Sequence, residues 1–253
     1  MRILTWNVQH GGRQQEAMAS AIAELEADTA VLTEFRASPK GALLIDSLRA
    51  RGLVHAEYDR ASDGTNGVLI ASRLPIRLLP LEGPAHIRHR WLHFQLDGCD
   101  VDFLGVYLHG GETGDETRAE KQCFWDGILA FAGRLTDTPA MLLGDLNTGK
   151  HYVDEEEATF ICADSFEKLT SIGWTDLPRA FHGDAPMPTW WSRVRGFRLD
   201  HSFASTPLVP RVTAAEYFSR TESHVLNHPV KRPWPAELGK ALSDHAALVV
   251  EFS

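Results

Sequence analysis

Six apolar runs along this chain each carry, at one end, a polar side chain able to hold a proton, a metal or a phosphate. This recurrence constrains the fold more than any other feature. The residues are Asn7, Glu34, Tyr107, Asp145 with Asn147, Asp200 with His201, and Asp244 with His245. A single carboxylate at a strand end is commonly just the start of a solvated loop. Strand ends drawn from distant parts of a sheet, however, converge on one edge, where ligand sites form. The set offers oxygen and imidazole ligands without paired thiolates, a chemistry that suits Mg2+ or Mn2+ better than structural zinc.

The segments between these residues alternate in type. A strand is predicted over 3–7, and Met18, Ile22 and Leu25 mark a helix over roughly 14–26. Ala30-Val31-Leu32 reads as a buried strand, and Leu44 to Leu48 as part of a helix ending near Gly52. Val68–Ala71, Trp91–Leu96 and 101–107 read as strands, the last two joined in a hairpin at Asp97-Gly98. Phe124, Ile128 and Phe131 fall at helical spacing within 118–134, and Ala140–Leu143 is another buried strand. The stretch 148–196, rich in Gly, Pro and Trp, reads as irregular, and strand-like pieces follow at 199–204 and 246–252. No low-complexity linker or solenoid repeat divides the chain. The expectation is one α/β or α+β domain over residues 1–253, with two sheets.

Composition narrows the function classes. With 253 residues, 43% of them hydrophobic, the chain has material for a sizeable core. Its 25 basic and 34 acidic residues leave a net charge of −9, which argues against a general polyanion-coating protein but permits a local basic patch. Cys99, Cys123 and Cys162 are odd in number and widely spaced, unlike a disulfide framework or zinc ribbon and suited to a reducing compartment. The opening Met-Arg-Ile-Leu-Thr-Trp-Asn lacks a signal-peptide layout, and no apolar run approaches the ~18 residues that span a bilayer. The expected protein is a cytoplasmic monomer with no membrane partner.

The same residues sit in motifs that point to a family. Thr5-Trp6-Asn7, Ala27 to Glu34, Gly67 to Arg73, Gly144-Asp145-Leu146-Asn147, Arg198-Leu199-Asp200-His201 and Ser243-Asp244-His245 occur in this order. Together they resemble the endonuclease/exonuclease/phosphatase superfamily of metal-dependent phosphoesterases over residues 3 to 252. Thr33 departs from the Gln that members usually carry before the metal glutamate. The resemblance implies an α/β fold, a four-layer α/β/β/α sandwich with two face-to-face mixed sheets. It implies that Glu34 is the main metal ligand, with Asn7 and Asp244 on the Mg2+ or Mn2+ ion or its waters. Asp145 would orient and deprotonate the attacking water, Asn147 would hold the nucleophile or phosphate, and Asp200 would fix His245 as an imidazolium. Tyr107 matches a position held by tyrosine in some members and histidine in others, with His109 two residues later as the competing assignment.

Membership leaves the substrate open, since one fold hosts many chemistries. Tyrosine at position 107 resembles exonuclease III and the abasic endonucleases. Thr189-Trp190-Trp191-Ser192 is similar to the aromatic loop of the abasic enzymes, and Arg193, Arg195 and Arg198 would supply cations for phosphates. The tryptophans are equally open to a packing role. The expectation is a metal-dependent DNA endo/exonuclease with DNA as partner and a place in DNA repair. The alternative is a phosphatase or phosphodiesterase acting on a small or lipid phosphoester. Against DNA stands the acidic run Asp154-Glu155-Glu156-Glu157, which would repel a duplex unless it points away. His182, His224 and His228 read as solvated loop histidines, and Lys231-Arg232 as either a phosphate contact or a surface turn.

Overall fold

Alternating apolar side chains let each central strand serve two interfaces at once. In β1 (Arg2–Asn7), Ile3 faces one apolar cluster while Leu4 and Trp6 face another. In β7 (Asp102–Tyr107) and β8 (Ala140–Asp145), Phe103, Met141 and Leu143 share the first cluster, and Leu104 and Leu142 belong to a third. Period-2 alternation with both faces apolar demands cover on both sides.

A computed structural model describes residues 1–60, 64–80, 85–110, 115–230 and 240–253, with backbone alone at 85–87 and 115–117. The remaining strands are β2 (Thr29–Phe35), β3 (His55–Tyr58), β4 (Gly67–Ser72), β5 (Ile76–Leu78), β6 (Trp91–Leu96), β9 (Thr175–Asp176), β10 (Trp190–Trp191), β11 (Gly196–Phe197), β12 (Asp200–Ala204), β13 (Val212–Phe218) and β14 (Ala247–Phe252). The helices are α1 (Gln15–Glu24), α2 (Pro39–Arg49), α3 (Asp115–Arg134), α4 (Ala163–Ser171) and α5 (Leu177–His182).

Two six-stranded mixed sheets result, ordered β13-β14-β1-β2-β4-β3 and β5-β6-β7-β8-β12-β9. Ile3, Val31 and Ile70 of the first meet Phe94, Phe103 and Met141 of the second in the central core. Helices α1 and α2 cover the outer face of the first sheet through Met18, Ile22, Leu44 and Leu48. Helix α3 covers the second through Phe124, Ile128 and Phe131, joined by Phe166 and Leu169 of α4. This is the four-layer arrangement that the motifs imply. Ser38 caps α2 by accepting a hydrogen bond from the Gly41 N–H, and Gly52 follows the helix with φ +96°.

The stretch 148–196 departs from the irregular reading. It holds α4, α5 and the short β10–β11 hairpin, while β13 lies in a segment where no strand was expected. These elements are two to nine residues long, too short for periodicity to stand out, and packing rather than propensity stabilises them. Among the described residues, no helix is long and apolar enough to cross a membrane, and the three cysteines are unpaired.

Candidate active site

Register brings the polar strand ends together. In the parallel pair β7–β8, Tyr107 lies opposite Asp145, and antiparallel β12 sets Asp200 opposite the same Asp145. Gly144 makes this crowding possible. Its φ is +147°, and a Cβ there would lie 1.8 Å from the Val106 carbonyl oxygen. In the other sheet Asn7 pairs with Thr33, so Glu34 follows directly beside it. The β2–β4 register shifts between Thr33 and Phe35, a bulge that leaves Glu34 at φ +56° and turns it out of the ladder. Thr33 itself is buried in the strand.

Asn7 links the two sheets. Its Nδ2 donates to Glu34 Oε1 at 3.1 Å and to Asp145 Oδ2 at 2.8 Å, while its Oδ1 accepts from the Gln9 N–H. Asp145 Oδ1 accepts the Asn147 N–H at 2.9 Å, which fixes Asn147 at φ +44°. The Asn147 side chain donates to the Leu108 carbonyl, and Lys121 Nζ donates to the Asn147 carbonyl at 2.6 Å. Ser243 Oγ donates to the Asn7 carbonyl and accepts the His245 N–H, and Trp6 Nε1 donates to the His245 carbonyl. His245 Nδ1 meets Asp200 Oδ2 at 2.8 Å.

Burial sets the electrostatics. Asp145, Asp200 and His245 have ligand-capable atoms all within 4.8 Å of one another, all three residues are buried, and Asp200 Oδ1 has no hydrogen-bond partner among the described residues. Burial, then the Asp200 carboxylate, pushes the Asp145 pKa well above the usual carboxylate range. For His245 burial alone would lower the pKa, but the Asp200 carboxylate overrides it and keeps the ring an imidazolium. An orphaned carboxylate oxygen amid excess negative charge fits a divalent cation, and hard oxygen donors suit that role. Asp145 and Asp200 thus offer the oxygens of a metal site, with Glu34 one hydrogen-bonded residue away; His245 could join them only as a neutral ring, not as the imidazolium that Asp200 holds. Burial also raises the Tyr107 pKa and lowers that of Lys121 to about 8.

A cavity of about 630 Å3 opens over this group. Glu34, Tyr107, Asp145, Asn147, Asp244 and His245 line it, and Asn7 and Asp200 stand behind them, fully buried. Trp190 lines it too and donates from Nε1 to Asp244 Oδ2 at 3.0 Å. His109 is not a lining residue; its ring lies 3.9 Å from Glu120 on α3, so the cavity position belongs to Tyr107. Sequence reading missed His10, Lys121, Phe160 and Phe197, all of which line the cavity. Only Lys121 had a signal: it falls three residues before Phe124 on the apolar stripe of α3.

The loop cations behave differently from expectation. Arg198 is corrected from a phosphate contact to a core residue. It is 1% exposed, and its guanidinium is spent on Asp154 (2.7 and 3.1 Å) and Asp176 (3.0 and 2.6 Å). Arg195 pairs with Glu157 at 2.6 Å, whereas Arg193 is exposed; neither arginine nor Trp191 lines the cavity. The acidic run divides. Asp154 is buried under Arg198 and Arg179, and Glu155 accepts the Thr159 and Phe160 N–H groups, so only Glu156 and Glu157 face solvent. Burial alone would raise the Asp154 pKa, but the Arg198 cation holds it far below the carboxylate range. His182 contacts Glu216, His224 contacts Glu24, and His228 is buried rather than solvated. Lys231-Arg232 lies outside the described residues.

His201 is fully buried against Phe166 and Phe203, with no hydrogen-bond partner for either ring nitrogen among the described residues. Burial, then the Arg198 cation, lowers its pKa to about 4. An unfolded histidine protonates near ~6.5, so the unfolded state binds more protons below that pH. The stability that neutral His201 contributes is lost as pH falls from about 6.5 towards 4. Urea melts of wild type and His201→Leu at about pH 7 and about pH 4.5 should therefore diverge, the variant losing less stability on acidification. Parallel losses would remove His201 from the acid response.

Comparison with known proteins agrees with this geometry. A model of the Endonuclease/Exonuclease/phosphatase family matches residues 4–245. The chain belongs to this family. Among solved structures it is similar to an AP endonuclease from Archaeoglobus fulgidus (19% identity, TM-score 0.79, covering 100% of this chain and 99% of that one). A 3'-5' exonuclease (NExo) from Neisseria meningitidis gives 23% identity and a TM-score of 0.78 with full coverage of both chains. A variant of the 3' phosphatase NExo from Neisseria, bound to product DNA hairpin, gives 22% and 0.76, covering 100% and 99%. No curated protein matches the sequence. At these identities the structural likeness concerns the fold, and the family match makes the chain a phosphoesterase-family member.

Proposed function

We propose that this phosphoesterase cleaves DNA phosphodiesters as an endo- or exonuclease of the abasic-site type. The observation that carries the reading is the continuity of the buried Asp145–Asp200–His245 group with an aromatic wall. Trp190, Phe197, Leu199 and Phe160 line the same cavity as Asp145 and His245. Apolar rings beside a phosphate-directed site suit an extrahelical sugar, and an abasic nucleotide avoids most of the few kcal/mol needed to extrude a paired base. Asp145 takes the proton of the attacking water, and Asn147 holds the phosphate or that water. Asp200 holds His245 charged, and His245 neutralises the charge that develops on the phosphoryl oxygens. A Mg2+ or Mn2+ ion at Glu34 and Asp244, with Asn7 beside it, would supply Lewis-acid charge.

The decisive assay compares abasic duplex, undamaged DNA, RNA and lipid headgroup esters with added Mg2+ or Mn2+ and with chelator. Metal-dependent incision of abasic duplex supports the reading. Turnover confined to lipid or small phosphoesters would replace it with the small-substrate alternative. Within the DNA reading, Trp190→Ala should harm abasic cleavage far more than hydrolysis of a small chromogenic diester, and Trp191→Ala, off the cavity, should spare both. Equal damage by Trp190→Ala to both substrates would assign that ring to packing.

A further inference from the structure

Among the described residues Lys121 is the only buried lysine, 3% exposed on the stripe of α3 that also carries Phe124 and Ile128. Packing alone would place an apolar side chain there, because burying an ammonium without a counterion is costly. Among the described residues its one hydrogen-bond partner is the neutral Asn147 carbonyl at 2.6 Å, and an ammonium has three donors. The group also lines the cavity beside Asp145, Asn147 and His245. A cation with spare donors on the wall of a site that takes a phosphoester has an evident ligand.

We propose that Lys121 is a phosphate-binding residue: one N–H holds the Asn147 carbonyl, and the others go to non-bridging oxygens of the substrate phosphate. One side chain then joins the bound phosphate to the backbone of Asn147, whose N–H and side-chain amide are already fixed by Asp145 and Leu108. The inference rests on the phosphodiester reading above and adds to it a contact that does not depend on base identity.

The test uses wild type, Lys121→Met and Lys121→Arg, with a DNA substrate in Mg2+ and inorganic phosphate as competing probe. Lys121→Met is expected to raise KM and the phosphate inhibition constant by roughly tenfold each, with a smaller fall in kcat, as loss of a charged hydrogen bond requires. Lys121→Arg should restore most of the phosphate affinity. A folded Lys121→Met protein with unchanged phosphate affinity overturns the proposal, whatever happens to kcat, and leaves Lys121 as a support for Asn147. If that variant fails to fold, the wild type decides. Its Lys121 side-chain NMR signal, identified by its loss in Lys121→Arg, should shift on adding inorganic phosphate, and a static signal overturns the proposal. Absence of any DNA cleavage by wild type would sink the nuclease reading separately, since the phosphate titration needs no turnover.

Discussion

Asp145→Asn is expected to cut DNA phosphodiester hydrolysis by about 10²-fold or more while leaving the fold intact. An amide cannot take the proton that the proposed mechanism assigns to this carboxylate. The same change should not weaken the metal-free protein, and this separates a catalytic role from a structural one. Asp145 is 1% exposed and lies close to the Asp200 carboxylate, and both burial and that like charge oppose its ionisation. A neutral amide relieves this repulsion, which is the usual stability–activity trade at a functional site. The cost is one lost hydrogen bond, because the new amide NH2 faces a donor at either the Asn7 Nδ2 or the Asn147 N–H. Thermal melting in chelator should therefore give a midpoint equal to or above that of wild type. Loss of activity together with a large loss of stability would make Asp145 a structural carboxylate. His245→Gln should give a comparable loss of turnover, because a neutral amide cannot replace the imidazolium paired with Asp200.

Arg198→Ala should have the largest effect on stability, about 3–5 kcal/mol, because it takes the guanidinium from buried Asp176 and leaves buried Asp154 with Arg179 alone. For a chain of this size, that is a drop in melting midpoint of roughly 10 °C. The guanidinium ties Asp154, on the loop after β8, to Asp176, at the end of β9, and the Arg198 N–H also donates to the Asp154 carbonyl. Arg179 adds a second cation to Asp154 at 2.6 Å. The clamp thus holds the loop bearing Thr159, Phe160 and Ile161 against the segment that leads into Asp200, and both border the cavity. Activity should fall in step with stability and recover on cooling. A variant that melts like wild type but binds DNA more weakly would return Arg198 to the phosphate-contacting role that its sequence neighbourhood suggests.

By itself the sequence determined a fold of sheets covered by helices and the polar residues that close its strands, while the four-layer order came from the resemblance that its motifs carry. Apolar runs long enough to be buried on both faces, interleaved with amphipathic helices, leave few arrangements other than sheets covered by helices. The polar residues closing those runs were legible for the same reason: Asn7, Glu34, Asp145, Asp200 and His245 each interrupt a local apolar pattern. Tertiary structure alone decided which of the remaining polar groups face the cavity. Arg198 and Arg193 look alike in sequence, yet one is clamped between Asp154 and Asp176 and the other is exposed. Trp190 and Trp191 are neighbours, but in a strand adjacent side chains point to opposite faces, and only Trp190 reaches the cavity. Asp154 and Glu155 read as a repulsive acidic surface until their partners, contributed by Arg179, Arg198 and the 159–160 backbone, are seen. The physical reason is range. Burial pattern is written locally at periods of two and 3.6 residues, whereas the fate of a charge depends on partners brought near only when the chain closes.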